Sequence, residues 1–565
     1  MVPGRGNGRA EPQAYPGCSR GLILAMPATR VLFGAVLLTL LVSVSAVRTQ
    51  TAEKERGDSA MREMRKEAAH RQRRIIFNND GNDAVYQCEE PTVEELLSKR
   101  TTPLVGTQCD TIFYCPWSAG FGQFTHNSQV AEVFTTKERI FSKNITADLI
   151  DQGTDPLQVM VDFCKAKDIE IFWSMRMNDV HDGALKDGDL FYPELFPQFK
   201  RDHPEFLVGT KGERLPGVPS SRSWAAVDYG RPEVRERAFR IIQDVCERYE
   251  LDGIELDFFR HLTYFRSHAQ EGQASESDLG KMTALLRRVR AMTEDVAARR
   301  GRPLLIAVRV PDSVEHAKII GLDWERWLAE DLVDILVASG YFRLRPWSET
   351  VELGHSYGVP VYAGLSESRI KARKGANSRE TYRARAMNAW LEGVDGIYLF
   401  NYFNPRTSLW SEIGDPETLA GLDKTYWATA RGPNAANSWV RDGDRFGTLP
   451  TLCPNRPVKL AEGKTVSIPI LVGEDLAQAK AEGIVPDLRL RLQVENLASA
   501  DDLAVTLNGE AVAGGVLAEG WLEYTPNPDL IRRGINDIEV TLAQSADPAP
   551  LLHDLCLRVE YKKPE

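Results

Sequence analysis

The sequence lacks several patterns that would each indicate a particular class of protein. It has no CxxC pair and no other Cys/His spacing typical of a zinc site. No GxGxxG follows an early strand, which disfavours a dinucleotide-binding open sheet. The sequence has no excess of positive charge, because its 69 basic residues are outnumbered by 80 acidic ones and the net charge is −11. Attraction to nucleic acid or to an anionic membrane surface is therefore not expected.

The apolar run at residues 31–46 is shorter than the roughly 20 residues that a membrane-spanning helix requires. It is uncharged and ends in Val44, Ser45 and Ala46, which are small residues typical of a signal-peptide cleavage site. We therefore predict an export signal over residues 1–46, with Met26 as an alternative start, and a secreted or periplasmic protein. No stable membrane insertion is expected after cleavage, and an uncleaved N-terminal anchor is the alternative.

Short β-rich runs alternate with amphipathic helical stretches from residue 73 to about residue 430. Eight strand–helix units predict a (β/α)₈ TIM barrel, with a doubly wound open sheet as the alternative. We place a charged linker or exposed helix at residues 47–72 and the barrel domain at 73–440. Short strands and turn signals then predict a C-terminal β-sandwich at 441–565. The eight runs are 73–80, 109–116, 169–177, 251–259, 303–311, 333–341, 360–367 and 394–402.

Polar side chains cluster where the predicted barrel strands end. Barrel active sites lie at those C-terminal ends, so we take these positions as candidates for a site. The candidate substrate-binding residues are Asn78, Asp80, Trp117, Arg176, Asn178, Asp179, His181, Glu255, Arg260, His261, Arg309, Tyr341, Asn401 and Tyr402.

Strand four carries two acids in the stretch LDGIELDFFRH, residues 251–261. Because a strand alternates its faces, Glu255 and Asp257 point the same way. Asp257 is nearer the mouth, and Glu255 lies one layer deeper, where a buried charge needs a partner. Arg309 has the matching parity on the next strand. We therefore predict a supporting Glu255–Arg309 pair that tunes the pKa of Asp257.

This stretch and the helix before it, DYGRPEVRERAFRIIQDVCERY, resemble the glycoside-hydrolase-like family 10 group of secreted barrel proteins. The strand-three segment FWSMRMNDVHD is also similar to that of bacterial relatives described as family 10 glycosylhydrolases. The resemblance covers roughly residues 73–430. It implies carbohydrate hydrolysis with Asp257 at the family's strand-four acid position, and it leaves the second carboxylate open.

Glycoside hydrolysis uses two carboxyl groups, about 5–5.5 Å apart in retaining enzymes and about 6.5–9.5 Å apart in inverting ones. We predict Asp257 and Glu367 as the catalytic pair, because Glu367 ends strand seven across the barrel; Asp179 and Asp312 are alternatives for the second acid. The arginines at the strand ends are compatible with an anionic polysaccharide as substrate. No cofactor and no metal are predicted, and the oligomeric state is left open.

Two other functions stay open at this stage. A metal-dependent barrel hydrolase would draw on His126, His181 and His261, although no HxH follows strand one. A non-catalytic carbohydrate-binding surface protein built on the barrel is the other alternative.

Overall fold

The predicted barrel is confirmed. The computed structural model describes residues 57, 59–366, 370, 372–429 and 431–561, so the predicted export signal lies outside it. Eight parallel strands close into one barrel in the order β1-β8-β7-β6-β5-β4-β3-β2. Each predicted run supplies one strand, namely β1 (Ile75–Asn79), β2 (Cys109–Tyr114), β3 (Glu170–Arg176), β4 (Gly253–Asp257), β5 (Leu305–Val310), β6 (Ile335–Ala338), β7 (Val361–Leu365) and β8 (Gly396–Phe400).

Six helices of eight or more residues surround the strands in the part of the chain between residues 93 and 391. They are α1 (Val93–Arg100), α2 (Pro156–Lys167), α3 (Pro232–Arg248), α4 (Glu276–Arg300), α5 (Trp347–Ser356) and α6 (Arg379–Leu391). Shorter helices are Asp83–Tyr86, Thr146–Asp151, Gln198–Asp202, Arg266–Glu271, Val314–Ile319, Trp324–Ala329, Pro416–Leu419 and Leu476–Ala481. Among the residues described, no helix has both the length and the apolar character needed to cross a membrane.

Sequence signals explain where the longest helix begins and ends. The Ser275 side chain accepts a hydrogen bond from the Asp278 N–H, and the Asp278 carboxylate accepts one from the Ser275 N–H, which forms a capping box. The helix ends at Gly301, whose φ of 68° favours glycine. Helix α4 thereby leads directly into β5 on the wall beside β4.

Aromatic side chains fill the barrel interior. Phe113 stacks on Phe172 with ring centroids 4.5 Å apart, and its edge meets Tyr398 at 5.7 Å. Below them Arg73 donates to Glu170 at 2.6 Å in a buried ion pair. The barrel is therefore a packed core, and any substrate has to bind above its C-terminal ends.

The C-terminal region forms two antiparallel sheets. Its main strands are β9 (Lys424–Trp427), β10 (Thr465–Val472), β11 (Asp487–Glu495), β12 (Leu503–Leu507), β13 (Trp521–Tyr524), β14 (Gly534–Leu542) and β15 (Leu551–Glu560). One sheet has the order β9-β15-β11-β13 and the other β10-β14-β12. Buried and exposed residues alternate along β11 and β14, as expected for strands with one face on a core. Short strands are Gln123–Phe124, Glu132–Val133, Leu185–Lys186, Asp189–Leu190, Val458–Lys459, Glu510–Ala511 and Val516–Ala518.

A buried arginine connects the barrel to this second region. Arg373, in the segment between β7 and α6, donates two hydrogen bonds to the Asp554 carboxylate on β15, both at 2.7 Å. Its guanidinium also lies 4.5 Å from the ring centroid of Trp427 on β9. The β-rich region thus packs against the side of the barrel at α6, and its segment between β9 and β10 reaches the mouth, where Trp439 contacts the His261 ring at 5.5 Å.

Candidate functional site

The two acids of β4 point into the barrel as predicted, but their partners differ from the prediction. Arg309 forms a bidentate ion pair with Asp257, with Nε–Oδ1 and Nη2–Oδ2 distances of 3.0 and 2.8 Å. The predicted Glu255–Arg309 pair is therefore wrong. The cause is strand register, because Arg309 lies directly opposite Asp257 while Glu255 lies opposite Ala307.

Glu255 is surrounded by neutral hydrogen-bond donors. Tyr398 donates to its Oε1 at 2.6 Å, and both Asn78 (3.1 Å) and Ser174 donate to its Oε2. Burial, reinforced by the negative charge of Asp257, raises the pKa of Glu255 to about 7. Near neutral pH the barrel interior therefore contains a carboxyl group that is partly protonated, and it lies directly below the Asp257–Arg309 ion pair.

Aromatic rings cover the Asp257–Arg309 pair from above. The Arg309 guanidinium lies 3.8 Å from the Phe400 ring centroid, and the edge of Tyr341 meets Phe400 at 5.0 Å. Asp257 is 2% exposed and Glu255 is 0% exposed. Asp257 is thus enclosed within the barrel, where the sequence predicted an acid at the mouth.

The open cavity at this end of the barrel lies over β1 to β4. This mouth pocket has a volume of about 230 Å³. The strand ends contribute Asp80, Trp117 and Arg176, and the loops that follow β3 and β4 contribute His181, Tyr192, Arg222 and Arg260; Tyr86 completes the wall. It therefore combines three guanidinium groups, three aromatic rings and a single carboxylate.

Arg176 connects two carboxylates at the floor of the mouth pocket. Its Nη2 donates to Asp80 Oδ2 at 3.1 Å, and its Nη1 lies 3.6 Å from Asp179 Oδ2. Burial opposes ionisation of Asp179, yet His181, His261 and Arg176 together hold the pKa of Asp179 well below its usual range. Asp179 is therefore a fixed negative charge behind the pocket wall.

His181 is held by hydrogen bonds on both ring nitrogens. Its Nδ1 lies 2.8 Å from Asp179 Oδ2, and Arg260 Nη2 lies 2.9 Å from its Nε2. Because guanidinium can only donate, Nε2 accepts and the ring proton is on Nδ1, directed at Asp179. Burial lowers the pKa of His181, and the positive charge of Arg260 lowers it further against the effect of Asp179.

Asp179, His181 and His261 each offer a ligand atom, and these atoms lie within 4.8 Å of one another. They form the one such group among the residues the structure describes. Two guanidinium groups adjoin it, since Arg176 lies 3.6 Å from Asp179 and Arg260 contacts His181 at 2.9 Å. Their positive charge opposes the binding of a divalent cation at this cluster.

Other predicted site residues have structural partners. Asn178 donates to the carbonyls of Val227 and Thr263 and so ties the loop after β3 to the loop after β4. Asn401 follows β8 with a φ of 55°. Tyr402 packs its ring edge against Trp410 at 5.8 Å. These three residues do not line the mouth pocket.

The remaining candidates for the second acid or for a metal ligand do not line the mouth pocket where the structure describes them. Asp312 accepts backbone hydrogen bonds from Leu344 and Arg345, and burial raises its pKa to about 6. His126 is enclosed against Trp173 and Tyr249, apart from the Asp179 cluster. Glu367, the predicted second carboxylate, lies outside the described residues.

Tyr86, Tyr192 and Arg222 were missed by reasoning from strand ends. Tyr86 lies on a helix one turn long after β1, and the other two belong to the 76-residue connection between β3 and β4, residues 177–252. A search limited to the last residues of each strand cannot find them, because Tyr86 lies several residues beyond β1, and Tyr192 and Arg222 are distant in sequence from the ends of β3 and β4.

Comparisons with known proteins do not assign this chain to a family. No protein-family model and no curated protein matches the chain. A Paenibacillus cycloisomaltooligosaccharide glucanotransferase has 10% identity and a TM-score of 0.34, over 86% of this chain and 57% of that one. A Geobacillus stearothermophilus α-galactosidase has 11% and 0.36, over 87% and 56%. An Anoxybacillus α-amylase has 10% and 0.34, over 85% and 99%.

The chain thus spans little more than half the length of the first two of these structures. With identities this low and TM-scores below 0.4, the likenesses assign neither a substrate nor a mechanism. Membership of the family 10 group stays a prediction from the sequence motifs.

The buried ion pair predicts the effect of removing one partner. Arg309→Met leaves the Asp257 charge unpaired, so we expect a loss of about 3–5 kcal/mol in the free energy of unfolding. The double variant Asp257→Leu/Arg309→Met removes both charges and recovers part of that loss. Urea denaturation measures both, with Arg240→Met on an exposed pair as the control. An Arg309→Met protein as stable as the wild type contradicts this assignment.

Glu255 predicts a pH dependence of stability. Its pKa is raised in the folded state, so the fold retains a proton that the unfolded chain has lost between about pH 4.5 and pH 7. The contribution of Glu255 to the free energy of unfolding therefore falls by about 3 kcal/mol as the pH rises across this window. Buried histidines such as His126, whose pKa burial lowers to about 4, add stability as the pH rises through the same window. The measurement is therefore the difference in free energy of unfolding between the wild type and Glu255→Gln, which cannot titrate, at each pH. Glu271→Gln on the surface is the control and follows the wild type. A difference that does not change between pH 4.5 and pH 7 is the contrary result.

The Asp179–His181–His261 cluster predicts indifference to divalent metal. Because two guanidinium groups adjoin it, incubation with EDTA leaves the melting temperature unchanged and added Zn²⁺ does not raise it. Differential scanning calorimetry of the full chain measures both. A stabilisation by Zn²⁺ that disappears in His261→Gln contradicts the expectation.

Proposed function

We propose that this protein is a glycoside hydrolase and that it binds an acidic oligosaccharide in the mouth pocket. The observation that carries the proposal is the composition of that pocket, in which aromatic rings and guanidinium groups surround one carboxylate at the C-terminal end of a barrel. Sugar rings stack on aromatic faces, and guanidinium forks bind carboxylate or sulfate groups.

The electrostatics of the mouth pocket support an anionic substrate. Three arginines line it, and among the described residues Arg176 is the one of them with carboxylate partners, namely Asp80 and Asp179. Arg260 contacts only the neutral His181 ring and the face of Tyr341, among the described residues. A chain with a net charge of −11 thus has a locally positive pocket, which favours an acidic sugar over a neutral one.

Apart from its arginines and tyrosines, the titratable groups that line this pocket are Asp80 and His181. In the proposed reaction, the Asp80 carboxylate takes a proton from the attacking water, and protonated His181 gives a proton to the leaving oxygen. Asp179 orients His181 through Nδ1 and stabilises the imidazolium. An acidic substrate that draws Arg260 away from Nε2 raises the pKa of His181 and so favours its acid form.

The catalytic test compares the mouth pocket with the carboxylates first predicted. We expect Asp80→Asn and His181→Gln to lower kcat by about 10²–10⁴-fold on acidic oligosaccharides, measured by release of reducing ends. The His181 variant also loses the limb of the pH profile on which activity falls with rising pH. Asp189→Asn, on an exposed side chain, is the matched control and keeps full activity.

Asp257→Asn and Glu367→Gln form the opposing arm of the test. Loss of turnover in these two variants with a normal melting temperature, together with an active Asp80→Asn, would return the mechanism to the pair predicted from sequence. Binding of oligosaccharide by every variant without any turnover would instead identify a non-catalytic carbohydrate-binding protein.

A further inference from the structure

A second cavity lies between the ends of β6 and β7, next to Tyr341. It has a volume of about 30 Å³, and its walls include Gly340, Arg343, Trp347, Arg385 and Asn388. A single water needs roughly 10–15 Å³ of such space, so this cavity admits a small planar group but excludes a sugar ring.

The two arginines of this cavity have little compensating negative charge. Arg343 is 14% exposed, and its nearest carboxylate among the described residues is Glu392, at 3.9 Å. Arg385 donates to the Ser366 carbonyl and makes no carboxylate contact within the described chain. Burial lowers the pKa of both guanidinium groups, and the carboxylates of Glu392 and Asp312 offset only part of this effect at Arg343.

Buried polar atoms of the same wall have no hydrogen-bond partner among the described residues. Trp347 is 2% exposed, and its Nε1–H donates to nothing. Arg343 Nε is equally unpaired. Buried donors without partners carry a free-energy penalty, and an acceptor placed between them removes it.

We propose that this cavity binds the carboxylate of an acidic sugar between Arg343 and Arg385, with Trp347 as a further donor. The proposal rests on the proposed function above, because it adds a subsite to the same substrate. Guanidinium groups match the planar geometry of a carboxylate, and the small volume admits that group while its ring stays outside.

Tyr341 places the subsite next to the mouth pocket. Its side chain lines the cavity, and its ring face contacts Arg260, which lines the mouth pocket, at 4.9 Å. An oligosaccharide of acidic sugars can therefore be recognised on both sides of this ring. A polymer of neutral sugars has no group for the second cavity.

Binding of D-glucuronate, followed by intrinsic tryptophan fluorescence, tests the subsite without any need for turnover. We expect saturable binding by the full-length wild type and no comparable response to glucose. Arg343→Gln and Arg385→Gln each weaken the binding at least tenfold, and Trp347→Phe abolishes the fluorescence change. Arg240→Gln, an exposed arginine, binds as the wild type does.

Asn388→Asp provides a variant that keeps both arginines. Its added negative charge occupies the cavity and is expected to weaken glucuronate binding tenfold or more, while the Asn388→Ala protein retains it. Equal binding by the wild type and by the Arg343→Gln/Arg385→Gln double variant overturns the subsite, as does equal binding of glucose. Arginine-dependent glucuronate binding without hydrolysis of any oligosaccharide supports the subsite and overturns only the proposed catalysis.

Discussion

The ion pair between Asp257 and Arg309 determines the chemistry of the whole barrel end. It uses the β4 carboxylate that the sequence predicts to be the nearer of the two to the mouth, and it is bidentate and covered by Phe400. Because this pair is closed, Glu255 below it faces only neutral donors and retains its proton up to about neutral pH. Because the pair is covered, the titratable side chains that a substrate can reach are those of the mouth pocket over β1 to β4.

The two halves of the barrel end therefore carry different sets of side chains. Over β1 to β4, histidine, carboxylate and guanidinium groups meet in one open pocket, where a proton can be transferred. Over β6 and β7, two arginines and a tryptophan line a small cavity whose described walls include no carboxylate and no histidine. Tyr341 contributes to the boundary between them, since its ring contacts Arg260 on one side and Phe400 on another.

Periodicity in the sequence was sufficient to predict the barrel, because each of the eight strands is a short apolar run and the alternation of faces is a local property. It also placed Glu255 and Asp257 on the same inner face. It could not decide which acid meets Arg309, since parity leaves the register of β5 against β4 undetermined. Tyr192 and Arg222 could not be found either, because the long connection after β3 brings them to the mouth by tertiary packing alone.

The pairing of β9 with β15 has a consequence for how the chain is made. Strand β9 follows the barrel directly, yet its neighbour in the sheet is the last strand of the chain. A ribosome adds about 5–20 residues per second, and the barrel strands emerge before the partner of β9 has been synthesised. During that interval β9 has an unpaired edge, which is a site for association with other chains. Synthesis of the C-terminal strand therefore completes the fold of a segment that was translated more than a hundred residues earlier.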